Sequence, residues 1–170
     1  MHKTNPLAVL AGLLLVIAAG TLPGCDTGCS ESDSATCFAA PNDAITAFEV
    51  TITTGDDPTT ADIFFCYARK SVPGWTCREM DNGVFYNDFA IGATDRYRIK
   101  LSNPIAPGDL EQFRVGVEDS QSHHDWNLTA LTVVVETAGG GEYAIYYDPE
   151  IDCMGSIDEG YSYWPRSCPY

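Results

Sequence analysis

Few residues in this chain have the types and spacing that chemistry requires. In Gln121 to Val135, QSHHDWNLTALTVVV, two histidines stand side by side ahead of an aspartate, and acidic residues gather in three stretches. These are Gly55-Asp56-Asp57, then Asp81-Asn82-Gly83 with Asn87-Asp88, then Glu118-Asp119 through Asp125. Successive side chains of an extended chain point to opposite sides, so His123 and His124 cannot both face one metal ion. The remaining histidine is His2, and neither Gly-x-Ser-x-Gly nor His-Glu-x-x-His occurs. Paired carboxylates can act as acid and base only inside a substrate cleft, so catalysis is not expected. Loop carboxylates, amides and carbonyls do suit a hard cation such as calcium, which takes roughly six to eight oxygens. In so acidic a chain the competing reading, solvated turn residues, stands beside it.

The first 24 residues have the three parts of an export signal. Lys3 supplies a positive start, Leu7 to Gly20 is an unbroken run of apolar and small residues, and Thr21-Leu22-Pro23-Gly24-Cys25 follows. The run is shorter than the roughly 20 residues a spanning helix needs, so it reads as a signal and not an anchor. Leu22-Pro23-Gly24-Cys25 resembles the lipobox of bacterial lipoproteins, in which the cysteine is lipidated and becomes the N-terminus, although Pro23 departs from that motif. The alternative is a plain signal peptide and a secreted chain. Cysteine parity favours lipidation of Cys25: of 7 cysteines it leaves an even set, Cys29, Cys37, Cys66, Cys77, Cys153 and Cys168, as an exported disulfide-bonded chain requires. The formal net charge is −15, and one more negative without Lys3. Such a chain repels nucleic acid and attracts cations.

Beyond the signal, residues 25–44 are small, polar and acidic, the composition of a tether. From Thr46 the pattern becomes one of period two. Phe48, Val50 and Ile52 alternate with Glu49, Thr51 and Thr53, which predicts a strand with one buried face. Further strands are predicted at Ile63–Ala68 and, across Lys70-Ser71-Val72-Pro73-Gly74, at Trp75–Met80. Tyr97, Ile99 and Leu101 alternate with Arg96, Arg98 and Lys100. Phe113, Val115 and Val117 alternate likewise, as do Leu131, Val133 and Val135, and then Tyr143, Ile145 and Tyr147. No window has a helical period, so the chain is expected to form an all-β antiparallel sandwich or barrel. Cys66 and Cys77 fall on the two arms of a predicted hairpin, within disulfide reach. Cys153 with Cys168 would close the C-terminal segment 151–170, leaving Cys29 with Cys37 by elimination; other connectivities stay open.

The succession Thr54-Gly55, Phe89 to Asp95 as Phe-x-x-Gly-x-x-Asp, Gly108-Asp109-Leu110, and Asp125-Trp126-Asn127-Leu128 before Leu131 to Val133 resembles the PLAT domain (polycystin, lipoxygenase, alpha-toxin). The resemblance covers roughly Ile45 to Tyr147, within a module expected over residues 45–150. It implies an eight-stranded antiparallel β-sandwich that docks on membranes or on partner proteins, sometimes with calcium. Position by position, it implies metal ligation by Asp57, Thr59, Asp125 and Trp126, and by Asn87 with Asp88 at a second site. Thr59 stands where the family has glycine, in a shortened loop. Trp126 is also expected to support its loop from the core. Trp75, in Val-Pro-Gly-Trp at the predicted hairpin tip, is the candidate aromatic contact, the alternative being that it packs on a Cys66–Cys77 bridge. The expectation is a non-catalytic lipoprotein of the bacterial envelope, anchored through Cys25 and carrying a PLAT-like module for a protein or lipid partner. The alternatives are a structural surface lipoprotein that binds no metal, or a small hydrolase.

Overall fold

The alternation from Phe48 to Ile52 becomes the middle of a ten-residue strand that is paired along both edges. The computed structural model describes residues 35–56, 62–80, 89–117, 126–151 and 162–163. They form β1 (Thr36–Cys37), β2 (Ile45–Thr54), β3 (Ile63–Arg69), β4 (Val72–Glu79), β5 (Thr94–Ile105), β6 (Leu110–Val117), β7 (Leu128–Thr137), β8 (Glu142–Asp148) and β9 (Ser162–Tyr163). None of the described residues is helical, and none forms a helix long and apolar enough to cross a membrane. One sheet has the order β1-β8-β7-β2-β5 and the other β4-β3-β6-β9, with every pairing antiparallel. This is the expected sandwich, with seven long strands and the two-residue β1 and β9 at sheet edges. Within the segment read as a tether, Thr36 and Cys37 pair with Tyr147 and Tyr146.

The inner faces close over a chain of rings. Phe48 of β2 meets Phe65 of β3 at 5.0 Å between centroids, Phe65 stacks on Phe113 at 5.7 Å, and Phe113 meets Tyr146 edge-on at 5.6 Å. Val50, Ile52, Tyr97, Ile99, Leu131, Val133 and Val135 fill the space between, all buried as their alternation predicts. On the outer face of the larger sheet, Arg96 pairs with Glu49 and Arg98 with Glu136. The hydrogen bonds and charge of Arg98 hold the Glu136 carboxyl below its ordinary value. Both pairs lie in solvent, where such contacts contribute little.

Two elements depart from the pattern read in the sequence. In β8 the buried residues are Ile145, Tyr146 and Asp148, while Tyr143 and Tyr147 are exposed. A bulge at Ile145, opposite Val133 and Val134, breaks the period of two there. In the β3–β4 hairpin the turn is Lys70-Ser71, and β4 begins at Val72. Pro73 and Gly74 form an irregularity inside the ladder, with Gly74 at φ 94°, a conformation that suits glycine. Trp75 therefore sits in a strand opposite Ala68 and not at a hairpin tip.

Cys66 and Cys77 are direct cross-strand partners, 4.0 Å apart at Cα, and they are bonded as the hairpin arms predict. Cys37 is also disulfide-bonded, with a partner outside the described residues. Cys25, Cys29, Cys153 and Cys168 lie outside them.

The ring chain makes a prediction that separates the two faces of β2. Phe48→Ala should lower the unfolding free energy by about 3–5 kcal/mol, whereas Thr51→Ala on the outer face should change it by no more than about 0.5 kcal/mol. Urea denaturation of both variants measures the difference; equal effects would mean that β2 does not bury the face assigned to it.

Candidate functional site

The antiparallel order decides where the acidic stretches are anchored. β2 ends, β3 begins, β4 ends, β5 begins, β6 ends and β7 begins at one end of the sandwich. Segments 57–61, 81–88 and 118–125 connect those strand ends, and they lie outside the described residues with Asp57, Thr59, Asn87, Asp88, Asp125, His123 and His124. What the structure describes is the floor beneath them.

That floor is tightly tied. Gly55 N–H donates to the Asn127 carbonyl at 2.8 Å, and Gly92 N–H to the carbonyls of Thr54 at 3.0 Å and Gly55 at 3.1 Å. Asn127 Nδ2 donates to Asp56 Oδ1 at 2.8 Å. The close approach of β2 to β7 requires glycine at 55, because a Cβ there would stand 2.7 Å from Thr129 Cγ2 and 2.9 Å from Asn127 Cγ. Trp126 is fully buried below this contact, as expected of a residue that supports the loop from the core. Its indole Nε1 donates to Thr54 Oγ1 at 3.1 Å, satisfying two polar groups that burial would otherwise leave unpaired.

The Phe-x-x-Gly-x-x-Asp stretch supplies the next layer. Phe89 is buried in the left-handed region at φ 58°, a strained conformation for a bulky side chain. Its ring stacks on Tyr97 at 5.6 Å and meets Trp126 edge-on at 5.4 Å, while its N–H donates to Asp95 Oδ2 at 2.9 Å. Asp95 is 2% exposed, and its second oxygen, Oδ1, has no hydrogen-bond partner among the described residues. Between these anchored residues Ile91 projects outward, 68% exposed. Sequence reasoning located the stretch but missed the roles of Thr54, Asp95 and Ile91. The alternating pattern alone would have placed Asp95 inside, because it is in phase with Tyr97, Ile99 and Leu101.

Among the described residues no three histidine, cysteine or acidic side chains come close enough to hold a metal ion. Described carboxylates at this end include Asp56, held by Asn127, Asp95 with its unpartnered oxygen, Asp62 before β3 and Asp148 at the end of β8. A buried acceptor without a partner, as Asp95 Oδ1 is among the described residues, is costly unless a donor or cation reaches it.

Trp75 lies elsewhere, near the opposite end of the smaller sheet. It is half-buried, with the Arg114 guanidinium 4.6 Å from its ring centroid.

No protein-family model and no curated protein matches the chain in sequence. Among solved structures it superposes on alpha toxin from Clostridium absonum with a TM-score of 0.55 at 18% identity, covering 74% of this chain and 32% of that one. Clostridium perfringens alpha-toxin from an avian strain gives 0.54 at 20% identity, covering 73% and 32%. The fold is PLAT-like. Coral 8R-lipoxygenase superposes more loosely, with a TM-score of 0.43 at 19% identity over 66% of this chain and 17% of that one. This PLAT-like chain thus spans about a third of the length of the alpha toxins it matches.

The buried Asp95 contact can be tested without any ligand. Asp95→Ala removes the acceptor of the Phe89 N–H and should destabilise the protein by about 1–3 kcal/mol. Asp95→Asn keeps an acceptor oxygen and should lose less. Chemical denaturation that ranked the alanine variant with the parent would show that this cap does not hold the Phe89 turn.

Proposed function

We propose that this chain is a non-catalytic lipoprotein of the bacterial envelope, anchored through Cys25, whose PLAT-like module docks on a lipid surface with calcium at its acidic end. The observation that carries the reading is the position of Ile91. It is an exposed apolar side chain on a hydrogen-bonded turn, at the end of the sandwich from which all three acidic connections spring. An apolar side chain on a floor tied by Trp126, Thr54 and Asp95 can enter a membrane interface at little conformational cost. The acidity of the chain is otherwise an obstacle, since a net charge of −15 is repelled by anionic headgroups. Calcium ligated by Asp57, Asp125 and the carbonyl of Thr59, or by Asn87 and Asp88, would reverse the sign of the local field. The PLAT resemblance in sequence and the alpha-toxin-like fold support this reading, and a protein partner at the same end is its closest competitor.

Calcium binding to the native state must raise the melting temperature. At a hundredfold excess over Kd the gain is about 2.7 kcal/mol, roughly 5–10 °C for a chain of this size. Asp57→Asn and Asp125→Asn should abolish the shift. Vesicles of phosphatidylcholine and phosphatidylglycerol should co-sediment the protein with calcium and release it to chelator, and Ile91→Asp should prevent sedimentation while keeping the thermal shift. An absent shift at millimolar calcium sinks the metal, and a shift without sedimentation turns the reading toward a protein partner. Independently, Cys25→Ala should move the chain from the membrane fraction of expressing bacteria to the soluble one. Unchanged fractionation would remove the lipid anchor.

A further inference from the structure

Ring contacts fix how the two sheets lie on one another. β2 faces β3 through Phe48 and Phe65, and β8 faces β6 through Tyr146 and Phe113. The short strands β1, beyond β8, and β9, beyond β6, therefore lie along the same flank of the sandwich, across from each other. They also run the same way. β6 and β8 both end at the acidic end, and β9 and β1 are antiparallel to them, so each leads away from that end. Stacked sheets stand about 10 Å apart. An N-terminal and a C-terminal stretch of the chain thus run side by side within reach of one another.

Cys37 belongs to this flank. It stands opposite Tyr146, which is fully buried, and cross-strand partners share a face, so Cys37 is on the inner side of β1. With Ala35 it packs against the core, and the Phe38 N–H extends the ladder by donating to the Ile145 carbonyl at 3.1 Å. Its disulfide partner lies outside the described residues. With Cys66 and Cys77 joined and Cys25 read as the lipid site, the candidates are Cys29, Cys153 and Cys168. The Ile151 N–H donates to the Thr129 carbonyl at 2.8 Å, four residues from Val133, the partner of Tyr146. Ile151 is thus about 13 Å along the sheet from the level of Cys37. Two more residues span at most about 7 Å, and a disulfide needs Cα atoms within about 7 Å, so Cys153 would reach Cys37 only at full stretch. Cys29 precedes β1 on the side of the acidic end and would have to fold back beneath the strand, where Ala35 already packs. Cys168 meets neither obstacle. Tyr163 pairs with Val115, two residues from Phe113, and so stands near the level of Cys37. The five residues from Tyr163 to Cys168 span up to about 17 Å, more than the gap between sheets.

We infer that Cys37 is bonded to Cys168, so that the C-terminal segment from Trp164 to Tyr170 is strapped across this flank onto the strand that ends the tether. The bond forms as the two thiols lose two protons and two electrons to a protein disulfide of the export compartment, which is reduced to two thiols. It takes the place of the Cys29–Cys37 pairing expected by elimination. The loop it closes is about 130 residues long, the kind in which a cross-link constrains the unfolded chain most. The strap has a consequence for docking. β1 leads away from the acidic end, so a tether held at Cys37 leaves the body on the side of that end and draws it toward the surface in which Cys25 is anchored. From Cys25 to a fixed Cys37 the chain reaches at most about 40 Å, against about 70 Å to Ile45 if β1 were released. Only this consequence rests on the lipid anchor proposed above; the bond does not.

Peptide mapping of the exported full chain tests the bond. Endoproteinase Asp-N cuts before aspartate and places Cys29, Cys37, Cys153 and Cys168 in separate peptides, residues 26–32, 33–42, 152–157 and 158–170. Without reduction, mass spectrometry should find 33–42 joined to 158–170, and reduction should part them. Linkage of 33–42 to 26–32 or to 152–157, or a free Cys37 thiol, would overturn the inference. A second measurement stands apart from digestion. Cys37→Ser and Cys168→Ser should each lower the melting temperature by roughly 5–10 °C, and the double variant should fall no further, because either change removes the same bond. Additive losses would count against it. The digest of Cys25→Ala should give the same joined pair, so a failure of the lipid anchor and a failure of the bond are read separately.

Discussion

The register of β2 is the constraint on which the rest of this structure depends. The strand is paired along both edges, with Phe48 opposite Ile99 and Val135, and Val50 opposite Tyr97 and Val133. Because side chains alternate with a period of two, a slip by one residue would bring Glu49 and Thr51 into the core and expose Phe48, Val50 and Ile52. The correct register aligns apolar residues of three strands on one face. It also sets Glu49 near Arg96 on the other and delivers Thr54 to the strand end, where its hydroxyl meets the buried Trp126 indole. The floor of the acidic end thus follows from pairing that begins inside the core.

The two ends built on this frame are chemically unlike. At one end Trp126, Phe89 and Asp95 make a buried floor, and the described acids, together with those of the connecting segments, give it a negative character. At the other, Asp109 pins two tight turns through Ser71, Arg69 and the Lys70 N–H, with Glu111 close by. A sandwich separates its ends by the length of its strands, about 3.3 Å per residue. Over eight or ten residues that exceeds the screening length at physiological ionic strength, about 8 Å. The charges at one end are therefore largely screened from those at the other.

Much of this architecture was legible in the sequence. The alternation in β2, β5, β6 and β7 assigned both strand and face, because half-buried strands must place apolar residues at every second position. The Cys66–Cys77 bridge was legible for the same reason: its two residues fall on the arms of one hairpin. Where the ladder is irregular, the alternation misled. The bulge in β8 at Ile145 brought Tyr146 inside in place of Tyr143 and Tyr147, and the irregularity at Pro73-Gly74 carried Trp75 from a supposed tip into a strand. A bulge adds a residue to one strand without leaving a compositional mark that distinguishes it from regular pairing.

By itself, then, the sequence determined the fold class, the buried faces, one disulfide and the acidic character of three loops. All of these depend on local period or composition. Only the tertiary structure decided that the described strand ends flanking those loops lie together, that Asp95 turns inward to cap Phe89, and that Asp109 joins two turns distant in the chain. Those relations depend on strand order and on contacts between residues tens of positions apart. Nothing in local alternation encodes which strand becomes another's neighbour; that is decided when the apolar faces are buried together and each buried polar group must find a partner.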